Sequence, residues 1–240
     1  RRRGSTSRSS TRSDRGVDVL DLFSGIGGFS LGLERAGMHT VAFCERDEFC
    51  RRVLGKHWPG VPIHPDIKQL DGSAFAGVDV LAGGFPCQAH STASRGRRVA
   101  EDLWPHMHRV AVESGARWVI GENVPGFGLA GVDRVCSDLE GADYTVRAYD
   151  LDVALPERQR KRERFVFVAH AHGEGESLGA VDAEVARIPE TSRGAWRDQS
   201  VPVGVADGVP GRMDRLRALG NAVPPHTIEL IGRAIMAADR

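Results

Sequence analysis

Along the first two-thirds of the chain, short apolar runs alternate with segments whose apolar residues recur at helical spacing. Val17–Phe23, Thr40–Cys44, Val78–Ala82 and Trp118–Gly121 are compact and apolar, as strands buried on both faces of a parallel sheet are. Ile63–Ile67 predicts a further short strand carrying Asp66. Helices are predicted from about Gly28 to Ala36, Asp47 to His57 and Glu101 to Glu113. Trp58-Pro59-Gly60 stops the second. In the third, Leu103, Met107, Val110 and Ala111 form an apolar stripe, and Pro105 is tolerated because it lies in the first turn. Residues 131–140 predict another helix, and Thr145–Val153 and Phe165–Ala169 predict two later strands, paired as a hairpin. The repeated alternation predicts an α/β fold, a doubly wound, mostly parallel sheet with helices on both faces.

Periodicity fails over residues 170–213, which carry glycine, proline, charge and a single tryptophan, Trp196. After Pro224-Pro225 a helix is predicted to about Ala237, with Ile228, Ile231 and Ile235 on one face, packing back beside the first strand. The expected organisation is a disordered basic tail over 1–16, a catalytic and cofactor-binding domain over 17–169, a short irregular region over 170–213, and a C-terminal segment, 214–240, that returns to the domain.

Composition changes this picture little. At 41% hydrophobic and 27% charged, the 240 residues suit a soluble domain with a sizeable core. No apolar run approaches the roughly 18 residues of a membrane helix. The N-terminus is arginine and serine without an apolar segment, so a cytoplasmic protein with no membrane partner is expected; a monomer is expected as well. The four cysteines, Cys44, Cys50, Cys87 and Cys136, form no Cys-x-x-Cys pair, which argues against a disulfide framework or a four-cysteine zinc site. His170 and His172 read as solvated, and no metal is expected. Net charge is zero, but residues 1–16 hold six arginines against one aspartate, and residues 158–164 four arginines and a lysine against one glutamate. Two basic patches on a neutral chain are compatible with phosphate contacts.

Candidate chemistry gathers around Gly83-Gly84-Phe85-Pro86-Cys87-Gln88. A cysteine at the carboxyl end of a buried strand, on backbone stiffened by glycine and proline, is placed to be a nucleophile, although a lone cysteine is more often a small buried hydrophobe. Upstream, Asp21-Leu22-Phe23-Ser24-Gly25-Ile26-Gly27-Gly28 follows a strand and opens a helix, and the next strand ends in Glu45. This is the front half of a nucleotide-binding unit, in which glycines let backbone approach the ligand and the acid takes ribose hydroxyls. Downstream, the strand at Trp118–Gly121 delivers Glu122 and Asn123 to the same sheet edge as Cys87. Residues 88–100, with Ser91, Thr92, Ser94, Arg95, Arg97 and Arg98, predict a polar, basic loop beside the site, able to close over a ligand.

Taken together these motifs resemble the cytosine-5 DNA methyltransferases, in family order from residue 17 to about residue 237. Asp21 to Gly28 looks like the first motif, Phe85-Pro86-Cys87-Gln88 and Glu122-Asn123-Val124 like the two catalytic motifs, Arg162-Glu163-Arg164 like the basic motif, and Gly220-Asn221-Ala222-Val223 like the last. The resemblance implies a Rossmann-like domain with S-adenosylmethionine held by Phe23, Ser24, Gly25, Ile26, Gly27, Gly28, Glu45, Arg46, Asp66, Ile67, Pro86, Asn221 and Ala222. It implies Cys87 as the thiolate that adds to carbon 6 of cytosine and Glu122 as a carboxyl group at the ring nitrogen, protonated or sharing a proton. It also implies Arg162 and Arg164 on the base carbonyl and phosphate, and duplex DNA, its target base flipped out, as partner. Gln88, Ser91, Arg95 and Arg97 are then expected at the DNA, with Arg193 and Arg197, beside Trp196 and Gln199, as candidates for reading bases. The chain departs from the family at Arg160, where a glutamine is usual (Gln159 is one residue early), at His90, where many relatives carry an aromatic, and in the shortness of 170–213. A transfer-RNA cytosine-5 methyltransferase and a non-catalytic binding relative remain as alternatives. A cognate restriction endonuclease is a partner that methyltransferases of this size can have.

Overall fold

A computed structural model of the chain describes residues 16–86, 101–152, 163–171, 176–186, 213–214, 218 and 222–239. In chain order the elements are β1 (Asp18–Leu22), α1 (Gly28–Arg35), β2 (His39–Cys44), α2 (Glu48–His57), β3 (Ile63–His64), β4 (Val80–Gly84), α3 (Trp104–Ser114), β5 (Trp118–Asn123), α4 (Gly128–Glu140), β6 (Tyr144–Asp152), β7 (Glu163–Ala171), α5 (Glu176–Val185) and α6 (Pro225–Ala238). The strands form one sheet in the order β3-β2-β1-β4-β5-β7-β6. β3, β2, β1, β4 and β5 run parallel, while β7 is antiparallel to both β5 and β6. The predicted doubly wound, mostly parallel α/β architecture is thus observed, with β6 and β7 adjacent and antiparallel as expected. The winding reverses between β1 and β4, and such a switch point opens a crevice outside the carboxyl ends of the strands.

Strand alternation sends side chains to two separate apolar layers. Val19, Val80 and Ile120 pack with Leu33 of α1 and with Ile228 and Ile231 of α6. Leu20, Leu81 and Val119 pack on the other face with Met107 of α3 and Leu139 of α4. Two glycines bring α1 and α6 together: a Cβ on Gly32 would stand 2.4 Å from the Pro225 carbonyl oxygen, and one on Gly232 2.8 Å from Ala36 Cβ. Ile228, Ile231 and Ile235 are all buried, as the spacing predicted.

Several boundaries differ from expectation, each for a local reason. β3 is only two residues long, because Pro65 has no N–H to continue the ladder, so Asp66 lies beyond the strand. β4 begins and ends two residues later than predicted and runs through Gly83 and Gly84, and β5 extends to include Glu122 and Asn123. α3 starts at Trp104 rather than Glu101; the Asp102 side chain accepts from Trp104 N just ahead of Pro105. The aperiodic reading of 170–213 does not hold for 176–185, which form α5, with Leu178, Val181 and Val185 buried against the α6 side of the sheet. His170 is not solvated: it is 7% exposed, 4.3 Å from the Trp118 ring, and its Nε2 accepts from Arg117 Nε at 3.2 Å. The basic tail to Arg15, the 88–100 loop and His172 lie outside the described residues.

Candidate active site

Parallel pairing places the carboxyl ends of β1, β2, β4 and β5 along one edge of the sheet. Because β7 runs the other way, its amino end, with Arg164, reaches the same edge. The sequence motifs therefore converge through topology.

At β1 the chain leaves the strand through Phe23, a non-glycine residue at φ 52°, then Gly25 at 55° and Gly27 at 88°. Left-handed backbone costs a phenylalanine free energy, and such strain gathers at functional turns. The turn is tied down on several sides. Ser24 is buried, and its hydroxyl donates to the Asp21 carbonyl oxygen at 2.7 Å, so this predicted ligand residue shapes the turn from within. Gly25 N donates to Glu45 Oε2 at 2.7 Å, and the other Glu45 oxygen accepts from Asp47 N at 2.6 Å. A Cβ on Gly27 would lie 2.5 Å from the Trp58 ring, and one on Gly28 2.6 Å from the Val223 carbonyl oxygen, whereas Gly25 faces open space. The end of the predicted last motif thus lies against the glycine turn, through Val223, with Ala222 half-buried beside it. Arg46 is exposed, Ile67 is buried, and Asp66 accepts from Lys68 N at 3.0 Å at the neighbouring strand end.

At β4 and β5 the register sets Gly84 opposite Glu122. A Cβ on Gly84 would stand 3.0 Å from Glu122 Oε2, so the glycine leaves room for the carboxylate. Glu122 is 8% exposed, and Arg164 Nε lies 2.5 Å from its Oε1. Asn123 donates from Nδ2 to the Phe85 carbonyl oxygen at 3.1 Å and accepts from Val124 N at 2.9 Å, joining the two predicted catalytic motifs. The Phe85 ring is buried between Trp104, Phe127 and Phe167, while Pro86 next to it is exposed. Cys87, Gln88, Ser91, Arg95, Arg97, Arg162, Arg193, Arg197 and Asn221 lie outside the described residues, as do Gln159, Arg160, Trp196 and Gln199.

Two features escaped the sequence reading. Asp21 and Ser30 form a buried pair under the turn, with Ser30 Oγ donating to Asp21 Oδ2 at 2.7 Å; an aspartate inside an apolar strand was the available signal. The Asn123–Phe85 bond had no signal, since it joins residues 38 apart. The described cysteines are poor nucleophiles: Cys44 is buried, with burial pushing its thiol up to about 12, Cys50 is buried, and burial also raises the thiol of Cys136.

Residues 17–199 match the family model described as C-5 cytosine-specific DNA methylase. Type II methyltransferase M.HhaI of Haemophilus parahaemolyticus is 29% identical over 154 residues, covering 60% of this chain and 47% of that protein. M2.BsuMI of Bacillus subtilis is 37% identical over 116 residues, covering 45% of this chain and 29% of its own length. M.Eco47II of Escherichia coli is 41% identical over 115 residues, with 45% and 27% covered. The chain thus spans less than half the length of these relatives. Among solved structures, Entamoeba histolytica EhMeth superimposes with a TM-score of 0.59 at 12% identity, covering 94% of this chain and 99% of that one. The Dnmt2 methyltransferase of S. pombe gives 0.56 at 19% identity, covering 78% and 57%, and both likenesses bear on the fold. With the family model spanning the sheet, the glycine turn and both strand-end motifs, the chain belongs to the C-5 cytosine-specific DNA methylases.

Proposed function

We propose that this chain transfers a methyl group from S-adenosylmethionine to carbon 5 of cytosine in duplex DNA. The observation that carries the reading is the meeting, at one sheet edge, of the Glu122–Arg164 pair with the Gly84-Phe85-Pro86 backbone that leads directly into Cys87. The glycine turn fits the cofactor: Gly25 is open, Gly27 and Gly28 admit no side chain, and the Glu45 carboxylate stands beside them. Phe23, Gly25, Glu45, Asp66, Ile67 and the Ala222–Val223 segment would hold it, and when bound it supplies an electrophilic methyl group.

The chain's own residues prepare the base. Carbon 5 of cytosine is a poor nucleophile. A thiolate that bonds to carbon 6 pushes the ring electrons toward carbon 5 and the pairing-edge nitrogen, dividing one hard step into easier ones. Cys87 takes that role, and the three described cysteines are unsuited to it. Glu122 meets the pairing edge and passes or shares the proton that relieves the ring, with Arg164 orienting its carboxyl group. Once carbon 5 carries the methyl group, loss of its proton and departure of the Cys87 sulfur restore the aromatic ring. A base inside a duplex is out of reach of a buried strand end, so the target is flipped into the cleft.

Arg162, Gln88, Ser91, Arg95 and Arg97 are assigned to the base and the DNA backbone, and Arg193 and Arg197 to sequence readout. Residues 176–185 belong to the core through α5, which leaves 187–213 as the readout region. The test is labelled methyl transfer to duplex DNA by wild type, Cys87→Ala and Glu122→Gln. Loss of product in the first variant, with a fall of roughly a hundredfold to ten-thousandfold in the second, is expected. Undiminished methylation by Cys87→Ala contradicts the assignment.

A further inference from the structure

β1 carries, one residue before its end, a carboxyl group that no step above uses. Asp21 is completely buried. Its Oδ2 accepts from Ser30 Oγ at 2.7 Å and from Ser30 N at 3.2 Å, which holds the first turn of α1. Its Oδ1 is equally buried and has no hydrogen-bond partner. An ionised carboxylate with one oxygen unsatisfied in an apolar interior is costly unless a cation compensates it. The glycine turn is tied to a carboxyl group at each end: Gly25 to Glu45, and Ser30, just past Gly28, to Asp21. Burial pushes Asp21 up to about 7, against the pull of Ser30 and, more weakly, of the nearby Ser24 hydroxyl, with the Glu45 charge adding to the rise.

The ionisable groups on the surrounding elements are Asp18 on β1, His39 and Cys44 on β2 with Glu45 just after it, Glu34 and Arg35 on α1, and His226, Glu229 and Arg233 on α6; β4 carries none and sets Ala82 opposite Asp21. The Cys44 thiol, pushed up to about 12, stays neutral, and Glu34 accepts from Trp58 Nε1 at 2.8 Å.

We propose that Asp21 is the residue through which this pocket prefers a cationic sulfonium ligand over its neutral thioether counterpart. The inference rests on the S-adenosylmethionine reading of the pocket. A sulfonium held by the Gly25–Gly28 turn supplies the compensating cation across an interior of low dielectric, where charges act far more strongly than in water. The thioether supplies none. Binding of the cation therefore favours loss of the Asp21 proton, and by linkage a higher pH favours the cation.

Calorimetric titration of the full chain with S-adenosylmethionine, and separately with S-adenosylhomocysteine, from about pH 6 to about pH 8.5 tests this, the range spanning the ordinary titration span of a group near 7. The two ligands share their amino-acid and adenosine ends, so titration of those groups drops out of the affinity ratio. In the wild type the ratio is expected to climb several-fold and then level off, and in Asp21→Asn, which keeps an acceptor for Ser30, to stay flat. Ser30→Ala should move the climb to higher pH with both ligands still bound. A wild-type ratio that ignores pH overturns the inference whatever the variants do, as does an equal climb in Asp21→Asn. If neither ligand binds the wild type, the cofactor reading itself fails and takes the inference with it.

Discussion

Glu122, the carboxylate proposed to meet the base, has little space in which to move. Gly84→Ala would put a methyl group against Oε2, in a gap of 3.0 Å, with the ring of Phe29 behind it at 3.7 Å. Methyl transfer by Gly84→Ala is expected to fall by at least tenfold in kcat while cofactor affinity, assigned above to the neighbouring turn, holds; equal loss of both would point to general unfolding. Asp21 makes a second prediction. Its carboxyl group is raised to about 7 in the fold from an ordinary 3.8, so the folded chain binds more protons than the unfolded chain between those values. The stability this group contributes is therefore fully present below its unfolded value and is lost as pH rises through 7. Denaturation midpoints at about pH 4.5 and about pH 7.5 should show Asp21→Asn gaining on the wild type over that interval; a constant difference would refute the titration. At this scale the sequence was informative where a motif ties a residue to a strand end, as with Glu45 and Glu122, which the structure brings to one edge of the sheet. It was silent where a contact joins distant residues, as with Asn123 and Phe85, or where a hydroxyl serves the backbone, as with Ser24.

Strand and helix identities were legible because apolar runs and glycine turns punctuate the chain cleanly, and the errors have physical causes. Pro65 cut β3 short, and the glycines of β4 looked like turn residues although they lie in the sheet, where a Cβ on Gly83 would sit 2.5 Å from the Leu22 carbonyl oxygen. α5 was missed although Leu178, Val181 and Val185 carry helical spacing, because Gly179 and small residues between them dilute the stripe. Two measurements test the packing. Leu178→Ala should cost about 2–5 kcal/mol of unfolding free energy, as removal of a buried leucine does, if α5 belongs to the core. A change within about 0.5 kcal/mol would place it outside. Gly32→Ala should destabilise by about 1–3 kcal/mol, since its Cβ meets the backbone of α6 rather than a side chain that can swing aside, outweighing the better helix propensity of alanine.

Across the whole molecule, sheet order accounts for the site. Reversal of winding between β1 and β4 opens the crevice, β2 brings Glu45 to it, β5 brings Glu122, and the antiparallel β7 returns Arg164 to the edge its neighbours reach by their carboxyl ends. The sequence indicated the parallel sheet and the shared edge, whereas the reversed direction of β7 beside β5 is a matter of long-range pairing that no local pattern carries. The departures at Arg160 and His90 and the brevity of the proposed readout region bear on the nucleic acid rather than on the pocket, so the acceptor is the point to test. The decisive measurement is transfer of labelled methyl from S-adenosylmethionine to unmethylated duplex DNA and to transfer RNA, by wild type and Cys87→Ala, with the products digested to nucleosides. The account predicts label in 5-methyldeoxycytidine from DNA with the wild type and none with the variant. Label confined to RNA would contradict the acceptor, and cofactor binding without label on either would contradict catalysis itself.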